Sequence, residues 1–165
     1  MKENKSERSS YWEEAIETLP RNDLEALQLE RLRQTLQRAQ SVPFYKEKFK
    51  SASIDSTKIA SLDTIRYLPF TTKEDMRSQF PYGLLSVPLE DCVRMHASSG
   101  TTGSSVAVFH TRKDIDTWSN LVARCLYGAG VRKSDIFQNM AGYGLFTGGL
   151  GFHYGAQKVG ALTIP

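Results

Sequence analysis

The first half of the chain has the apolar spacing of α-helices. Leu29, Leu32, Leu36 and Ala39 recur at steps of three and four residues, which places them on one face of a helix. Packing against a core accounts for this apolar stripe. Helix starts are predicted from capping residues or prolines at four places: Tyr11, Asn22 with Glu25, Pro43, and Thr72 with Asp75. Residues 1–10 are polar and predicted to be a disordered tail, and residues 11–85 a helical lead-in segment.

The pattern changes after Pro88, where short apolar runs alternate with helical spacing. Two strands are predicted at residues 92–98 and 106–111, followed by a helix that opens at Thr111 with Asp114 and ends at Gly128. Ile115, Trp118, Val122 and Cys125 are expected on its apolar face. The remaining elements are predicted as a buried strand at 135–141, a glycine-dense loop at 142–151, a short helix at 152–159 and a strand at 161–165.

Strands that alternate with helices predict an α/β sheet for residues 86–165. The last strand has hardly begun at Pro165, so this sheet is expected to be incomplete, with an exposed edge and apolar face. The predicted fold class is therefore α/β, with a helical amino-terminal segment followed by the start of a truncated α/β domain.

Composition excludes several classes of function. The 165 residues are 40 % hydrophobic and 24 % charged, which is ordinary for a globular protein. The net charge of +3 comes from interspersed signs, so nucleic-acid binding is not predicted. No apolar run has the length of a membrane span, and the amino terminus has no signal-peptide pattern. We therefore predict a cytoplasmic protein.

The cysteines and histidines do not form a recognisable chemical site. Cys92 and Cys125 lie far apart among apolar neighbours and are expected to be small buried hydrophobic residues. His96, His110 and His153 have no spacing typical of metal ligands, so no metal site is predicted on the protein.

The stretch between the two predicted strands at 92–111 is rich in hydroxyl groups and glycine. It comprises Ser98, Ser99, Gly100, Thr101, Thr102 and Gly103. Backbone N–H groups in a tight glycine turn, together with small hydroxyls, can hold a phosphate. A polar hairpin between two strands uses the same residues, so composition leaves both interpretations open. The spacing is not that of a Walker A loop, since no lysine follows Gly103.

Three ordered blocks of sequence resolve this choice by resemblance. "RMHASSGTTG", "DIDTWSNLVARCLYGAG" and "GYGLFTGGLGFHYGAQKVGALTIP" closely resemble phenylacetate–coenzyme A ligases, within the adenylate-forming acyl-CoA synthetase superfamily. The helical lead-in is also similar to the family's amino-terminal segment. The resemblance covers nearly the whole chain after the first ten residues.

The resemblance implies a two-step reaction and a set of site residues. The family joins a carboxylic acid to ATP, giving an acyl-adenylate and pyrophosphate with Mg²⁺ balancing charge, and coenzyme A then displaces AMP. It implies that Ser98, Ser99, Gly100, Thr101, Thr102 and Gly103 hold the β and γ phosphates. It also implies that Tyr143, Phe146, Gly148 and Gly149 line the pocket for an aryl acid, phenylacetate being the leading candidate. Without the family, Tyr143 and Phe146 would be interpreted as ordinary core residues.

Two positions depart from the family pattern. The family commonly has lysine and proline where this chain has Ser104 and Ser105, which implies weaker electrostatic support for the phosphates. It often has a tyrosine where Ala141 stands, which implies a larger acid pocket or a lost ring contact.

The family also continues well beyond Pro165. The resemblance implies that the nucleoside contacts, the metal-binding acid and the catalytic lysine lie in that further part, so no catalytic residue is expected here and the chain alone is expected to be inactive. The alternatives are a non-catalytic module that binds a nucleotide, a CoA ester or a protein, and one half of a split ligase. The lead-in is similar to a segment used for dimer contacts, which makes a homodimer or a complementing second chain the expected protein partners.

Overall fold

The computed structural model describes residues 9–98, 105–144 and 147–165. Six α-helices and four strands occur in these ranges, in the order α1 Glu14–Glu17, α2 Arg21–Gln40, α3 Pro43–Ser51, α4 Lys73–Ser78, β1 Cys92–Ala97, β2 Ala107–Thr111, α5 Arg112–Gly128, β3 Ile136–Gln138, α6 Thr147–Val159 and β4 Leu162–Ile164. Short 3₁₀ helices lie at Leu62–Tyr67 and Leu89–Asp91. Residues 20–109 form one compact unit, and residues 9–19 with 110–165 form a second.

The unit of residues 20–109 is built around a small helical core. Leu36 of α2, Phe49 of α3 and Ile59 are buried together, and the predicted stripe residues Leu29, Leu32 and Ala39 pack against them. The predicted apolar face of α2 is therefore confirmed. β1 and β2 pair in this part of the chain, as the sequence predicted.

Helix starts were predicted correctly where a capping box or a proline at the first turn defines them. Thr72 and Asp75 form a capping box at α4, Thr111 and Asp114 form another at α5, and Pro43 occupies the first turn of α3. The capping box expected at Asn22 and Glu25 was wrong, because α2 already begins at Arg21 with Pro20 as its cap.

Two further helix starts differ from prediction. α1 begins at Glu14, three residues later than expected, because Ser9 forms a local turn in which its hydroxyl accepts a hydrogen bond from the N–H of Tyr11. α6 begins at Thr147, five residues before the expected start at Phe152. The glycines at its amino-terminal end, typical of a loop by propensity, are therefore helical in the structure.

The second unit is organised by a βαβ segment. β3 and β4 are parallel and joined through α6, with Ile136 opposite Leu162 and Gln138 opposite Ile164. Ala123 and Leu126 of α5 are buried with Ala156 and Val159 of α6, and Phe137 packs against them. The strand at 135–141 was expected to be buried, but only one face of it packs against the helices. On the other face, Ile136 and its partner Leu162 on β4 are about two-thirds exposed.

The buried face of α5 is rotated by one residue from the predicted face. Ile115, Ser119, Ala123 and Leu126 are buried, whereas Cys125 is exposed and not buried as expected. The hydroxyl of Ser119 donates to the carbonyl of Ile115 at 2.6 Å, so this polar group is satisfied within the helix.

Two glycines of α6 make a close approach to α5 possible. A Cβ atom at Gly151 would lie 2.6 Å from the indole of Trp118, and one at Gly155 would lie 2.5 Å from Cγ1 of Val122. Both distances are far below van der Waals contact, so the spacing of α5 and α6 requires glycine at these positions.

Residues 9–19 are held against α5 by polar and aromatic contacts. Glu13 accepts hydrogen bonds from Asn120 at 2.8 Å and from Arg124, and the indole N–H of Trp12 donates to Asn120 at 2.9 Å. The Arg124 hydrogen bond is the main cause that lowers the pKa of Glu13. The Trp12 and Tyr127 rings lie 5.6 Å apart. This segment therefore packs against a helix more than a hundred residues away in sequence.

Within the described ranges, every helix is either too short or too polar to cross a membrane.

Substitution of Gly155 by alanine tests the α5–α6 spacing. Overpacking costs about 1–3 kcal/mol. Gly128→Ala is the matched control, because a Cβ there would meet nothing within 4 Å. Both substitutions replace a helical glycine by alanine, which has the higher helix propensity. We expect Gly155→Ala to be less stable than Gly128→Ala by about 1–3 kcal/mol in urea unfolding. Equal stabilities would contradict the spacing argument.

Asp75 gives the first unit a defined pH dependence. The Asp75 carboxylate accepts a hydrogen bond from Lys48 Nζ at 2.6 Å and another from the Thr72 backbone N–H at 2.8 Å. These bonds lower the pKa of Asp75 from 3.8 to about 2. Because the folded pKa is depressed, the stabilisation is complete above pH 3.8 and is lost as the pH falls toward 2. We therefore expect Asp75→Asn to be less stable than the parent near neutral pH, with the difference shrinking through this window.

The control for this titration is Asp63→Asn, which removes an exposed ion pair with Arg66. Its stability should stay within about 0.5 kcal/mol of the parent at every pH. A gap between Asp75→Asn and the parent that is constant with pH would contradict the role given to Asp75.

Candidate functional site

The predicted phosphate loop begins at the end of β1. Ser98 and Val106 bond to each other at its base: the Ser98 N–H donates to the Val106 carbonyl at 3.1 Å, and the Ser98 hydroxyl oxygen accepts from the Val106 N–H at 3.1 Å. The Ser98 hydroxyl acts as the acceptor in this pair, and its proton takes no part in it. The other predicted loop residues, Ser99, Gly100, Thr101, Thr102 and Gly103, lie outside the described residues.

The predicted acid pocket belongs to the second unit. Tyr143 follows β3 in the segment before α6, and Gly148 and Gly149 lie in the first turn of α6. Phe146 lies outside the described residues. The Tyr143 side chain is 44 % exposed, so its ring is open to a ligand.

Gly148 and Gly149 have different surroundings. Gly149 is buried, and a Cβ there would lie 2.4 Å from the carbonyl oxygen of Gly142. The backbone of Gly142 therefore occupies the space that a side chain at 149 would need. Gly148 lines an open cavity of about 180 Å³ between α5 and α6. The walls of this cavity are Trp118, Val122, Thr147, Gly148, Gly151 and Phe152.

This cavity has the size and character suited to one aromatic ring. A cavity of about 150 Å³ with apolar walls takes up benzene in an unrelated protein. Among the described residues, the walls are an indole, a valine, a phenylalanine, a threonine and two glycines, with the indole N–H and the Thr147 hydroxyl as polar side-chain groups. The sequence pattern placed Trp118 and Val122 on the core face of α5 and did not identify them as cavity residues.

Asn139 and His153 are two polar residues of this region that the sequence did not identify. Asn139 is buried at the end of β3, and its Nδ2 donates to the Tyr143 hydroxyl oxygen and to the Gly149 carbonyl, each at 2.8 Å. The Tyr143 hydroxyl also lies 2.9 Å from Nδ1 of His153. The position of Asn139 in a strand that was predicted to be buried was the available sequence signal for this site, because a buried amide needs several hydrogen-bond partners.

These contacts join two of the predicted residues, Tyr143 and Gly149, to Asn139 and His153 in one polar network. Through Asn139, the Tyr143 hydroxyl is tied to the first turn of α6 beside Gly148. The Tyr143 hydroxyl is thus held by two side chains, and Gly149, which accepts from Asn139, is the residue next to Gly148 on the cavity wall. In the described ranges, His, Cys, Asp and Glu residues form no group of three or more that could hold a metal ion.

Comparison with curated proteins identifies clear relatives, although no family model matches the sequence. The chain is 48 % identical over 151 residues to the phenylacetate-coenzyme A ligase of Escherichia coli strain K12, covering 91 % of this chain and 35 % of that enzyme. It is 45 % identical over 153 residues to the enzyme of the same name from Aromatoleum evansii, covering 92 % of this chain and 35 % of that enzyme. The chain therefore spans about a third of the length of these relatives.

Solved structures give the same result for the fold. The chain is similar to 2-hydroxyisobutyryl-CoA ligase in a postadenylation complex with 2-HIB-AMP, with a TM-score of 0.86 and 28 % identity over 96 % of this chain and 34 % of that one. It is also similar to the same ligase with 2-HIB-AMP and CoA in the thioesterification state, with a TM-score of 0.86 and 30 % identity over 95 % of this chain and 34 % of that one. The two small two-stranded sheets with their helices match the fold of these ligases over that part. The family resemblance predicted from the sequence is therefore confirmed: along nine-tenths of its length, the chain is similar to the phenylacetate-coenzyme A ligases, and it matches about a third of each.

Proposed function

We propose that this chain is the amino-terminal portion of an ATP-dependent ligase that joins an aryl carboxylic acid, phenylacetate or a close analogue, to coenzyme A. The observation that carries the proposal is the 44–48 % identity to four phenylacetate-coenzyme A ligases, which extends over 91–92 % of the chain. We place the reaction in the cytoplasm, because ATP and coenzyme A are its substrates.

The reaction has two steps. An oxygen of the acid attacks the α-phosphate of ATP, the bond to the β-phosphate breaks, and pyrophosphate leaves. The thiol of coenzyme A, as its thiolate, then attacks the acyl carbon, and AMP leaves with the oxygen that had joined acid and phosphate. The similarity to a ligase with 2-HIB-AMP and CoA bound supports this order for a protein of this fold.

The loop from Ser98 to Gly103 has the role of holding the β and γ phosphates in this proposal. Negative charge accumulates on the departing pyrophosphate, and donors fixed in advance stabilise it most effectively. The bonds between Ser98 and Val106 close the base of the loop, which restrains the ends of the segment that carries Thr101 and Thr102. Mg²⁺ is proposed to act on the phosphates, and no residue of this chain is assigned to it.

Tyr143, Phe146, Gly148 and Gly149 are proposed to form the acid pocket together with the cavity between α5 and α6. Its volume of about 180 Å³ and its apolar walls support an aromatic ring over a charged or polyhydroxylated group. Gly148 lines this cavity, whereas Gly149 allows the segment that carries Tyr143 to approach α6.

A chimeric enzyme tests the proposed function. The chain replaces the matching third of the Escherichia coli ligase, and the product is assayed for pyrophosphate release and for phenylacetyl-CoA. We expect both products from the chimera and neither from the 165-residue chain alone. A folded chimera with no activity toward any aryl acid would contradict the proposal. Activity on mixing this chain with the remaining part of the relative would indicate a split ligase, and thioester formation by the chain alone would contradict its expected inactivity.

Substitution of the loop threonines tests the phosphate assignment in the same chimera. Thr101→Val and Thr102→Val remove hydroxyl donors with little change in volume. We expect kcat/KM for ATP to fall about tenfold to a hundredfold, and serine substitutions, which keep the donor, to lose much less. Thr71→Val is the control, because that hydroxyl contacts Tyr45 instead. Unchanged ATP kinetics in both valine variants would contradict the assignment.

A further inference from the structure

The Tyr143 hydroxyl lies within hydrogen-bond distance of two side chains, those of Asn139 and His153. Asn139 Nδ2 lies 2.8 Å from the hydroxyl oxygen, and His153 Nδ1 lies 2.9 Å from it. The Tyr143 and His153 rings meet edge to face, with centroids 5.6 Å apart at 80°. The direction of each hydrogen bond therefore decides whether the hydroxyl proton is available to a ligand.

The orientation of the Asn139 amide follows from its other two contacts. Nδ2 lies 2.8 Å from the Gly149 carbonyl oxygen, which can only accept a hydrogen bond. Oδ1 lies 3.2 Å from the Ala141 N–H, which can only donate. The amide cannot be reversed without losing both contacts. The backbone N–H of Asn139, which donates to Ile164 at 2.7 Å, fixes the residue against β4.

The direction of the bond to His153 depends on the histidine tautomer, because a phenol oxygen that accepts from Asn139 can either donate its own proton to Nδ1 or accept a second hydrogen bond from it. Asn139 uses both of its N–H protons as donors, one of them to Tyr143, so the phenol oxygen accepts that bond. The phenol has one proton left to donate, and the nitrogen within reach is Nδ1 of His153. The tautomer with its proton on Nε2 lets Nδ1 accept this proton, whereas the tautomer with its proton on Nδ1 leaves the phenol proton unused within this group of side chains.

We propose that Asn139 and His153 are positioning residues that fix the Tyr143 ring and commit its hydroxyl proton to His153. Tyr143 then offers the bound acid an aromatic ring and no free hydrogen-bond donor. The site consequently selects acids whose group next to Tyr143 is apolar, and disfavours those that carry a hydrogen-bond acceptor there. This inference rests on the proposed function only for the role of Tyr143 as a wall of the acid pocket.

The hydrogen-bond direction can be tested on the 165-residue chain itself. The protein is labelled with ¹⁵N, and both ring nitrogens of His153 are observed by NMR at a pH where the imidazole is neutral. We expect an unprotonated Nδ1 whose resonance is shifted by an accepted hydrogen bond. In Tyr143→Phe, this resonance should move to the position of a free unprotonated nitrogen.

Tyr127→Phe is the control, because it removes another phenol hydroxyl of the same unit, one that donates to the Ser9 carbonyl at 2.8 Å. The His153 resonances should not move in this variant. A proton on Nδ1 in the parent, or an unchanged Nδ1 resonance in folded Tyr143→Phe, would overturn the proposal.

The specificity is tested in the chimeric ligase with matched methyl- and nitro-substituted phenylacetates. His153→Phe keeps the edge-to-face ring contact but removes the acceptor, so the Tyr143 proton becomes free. The preference for methyl over nitro should fall about three- to tenfold at the ring position next to Tyr143. In a Tyr143→Phe background, the same His153 substitution should have no effect, which separates positioning from a general structural loss.

The outcomes of the two experiments distinguish this inference from the proposed function. If the parent chimera forms no thioester, the proposed function fails, and the NMR result alone decides the arrangement of the hydroxyl. If the chimera is active and the methyl preference is unchanged at every ring position in His153→Phe, the inference fails while the proposed function stands.

Discussion

The second unit depends on the close approach of α5 and α6, which requires glycine at two positions of α6. Gly151 faces the indole of Trp118 and Gly155 faces Val122, at separations where any side chain would collide. The buried residues Ala123 and Ala156 are small for the same reason. Since α6 joins the two parallel strands, its distance from α5 also sets where β3 and β4 lie within this unit. The same helix pair forms the walls of the cavity beside Gly148.

Asn139 has a comparable role among the polar groups, because it joins three parts of the chain. Its backbone extends the pairing with β4, and its side chain bonds the segment before α6, the first turn of α6 and Tyr143. A buried amide with all of its hydrogen-bonding atoms engaged specifies one local arrangement, because any displacement leaves a polar group unsatisfied. The glycine contacts thus set the spacing of the helices, and the amide sets the geometry of the segment that carries Tyr143.

Sequence reasoning predicted those features that depend on neighbouring residues. The capping boxes at Thr72 and Thr111 and the apolar stripe of α2 are local patterns, and all were confirmed. The start of α6 was wrong because helix propensity marks glycines as loop residues, whereas here contacts with α5 favour the helix. The buried face of α5 differs from the predicted face because the sequence pattern counts only apolar residues, whereas the buried positions include Ser119, whose hydroxyl bonds within the helix. Gly148 and Gly149 were identified by resemblance alone, and the partners of Tyr143 required three-dimensional proximity that no spacing in the sequence reveals.

The packing of residues 9–19 against α5 has a consequence for biosynthesis. Trp12 and Glu13 find their partners at Asn120 and Arg124, more than a hundred positions later in the chain. At translation rates of about 5–20 residues per second, on the order of ten seconds pass before these partners are synthesised. During that interval the indole of Trp12 has no native surface to cover it, while the local contacts of α2 and α3 can already form. The contacts of Trp12 and Glu13 are therefore completed only after α5 has been synthesised.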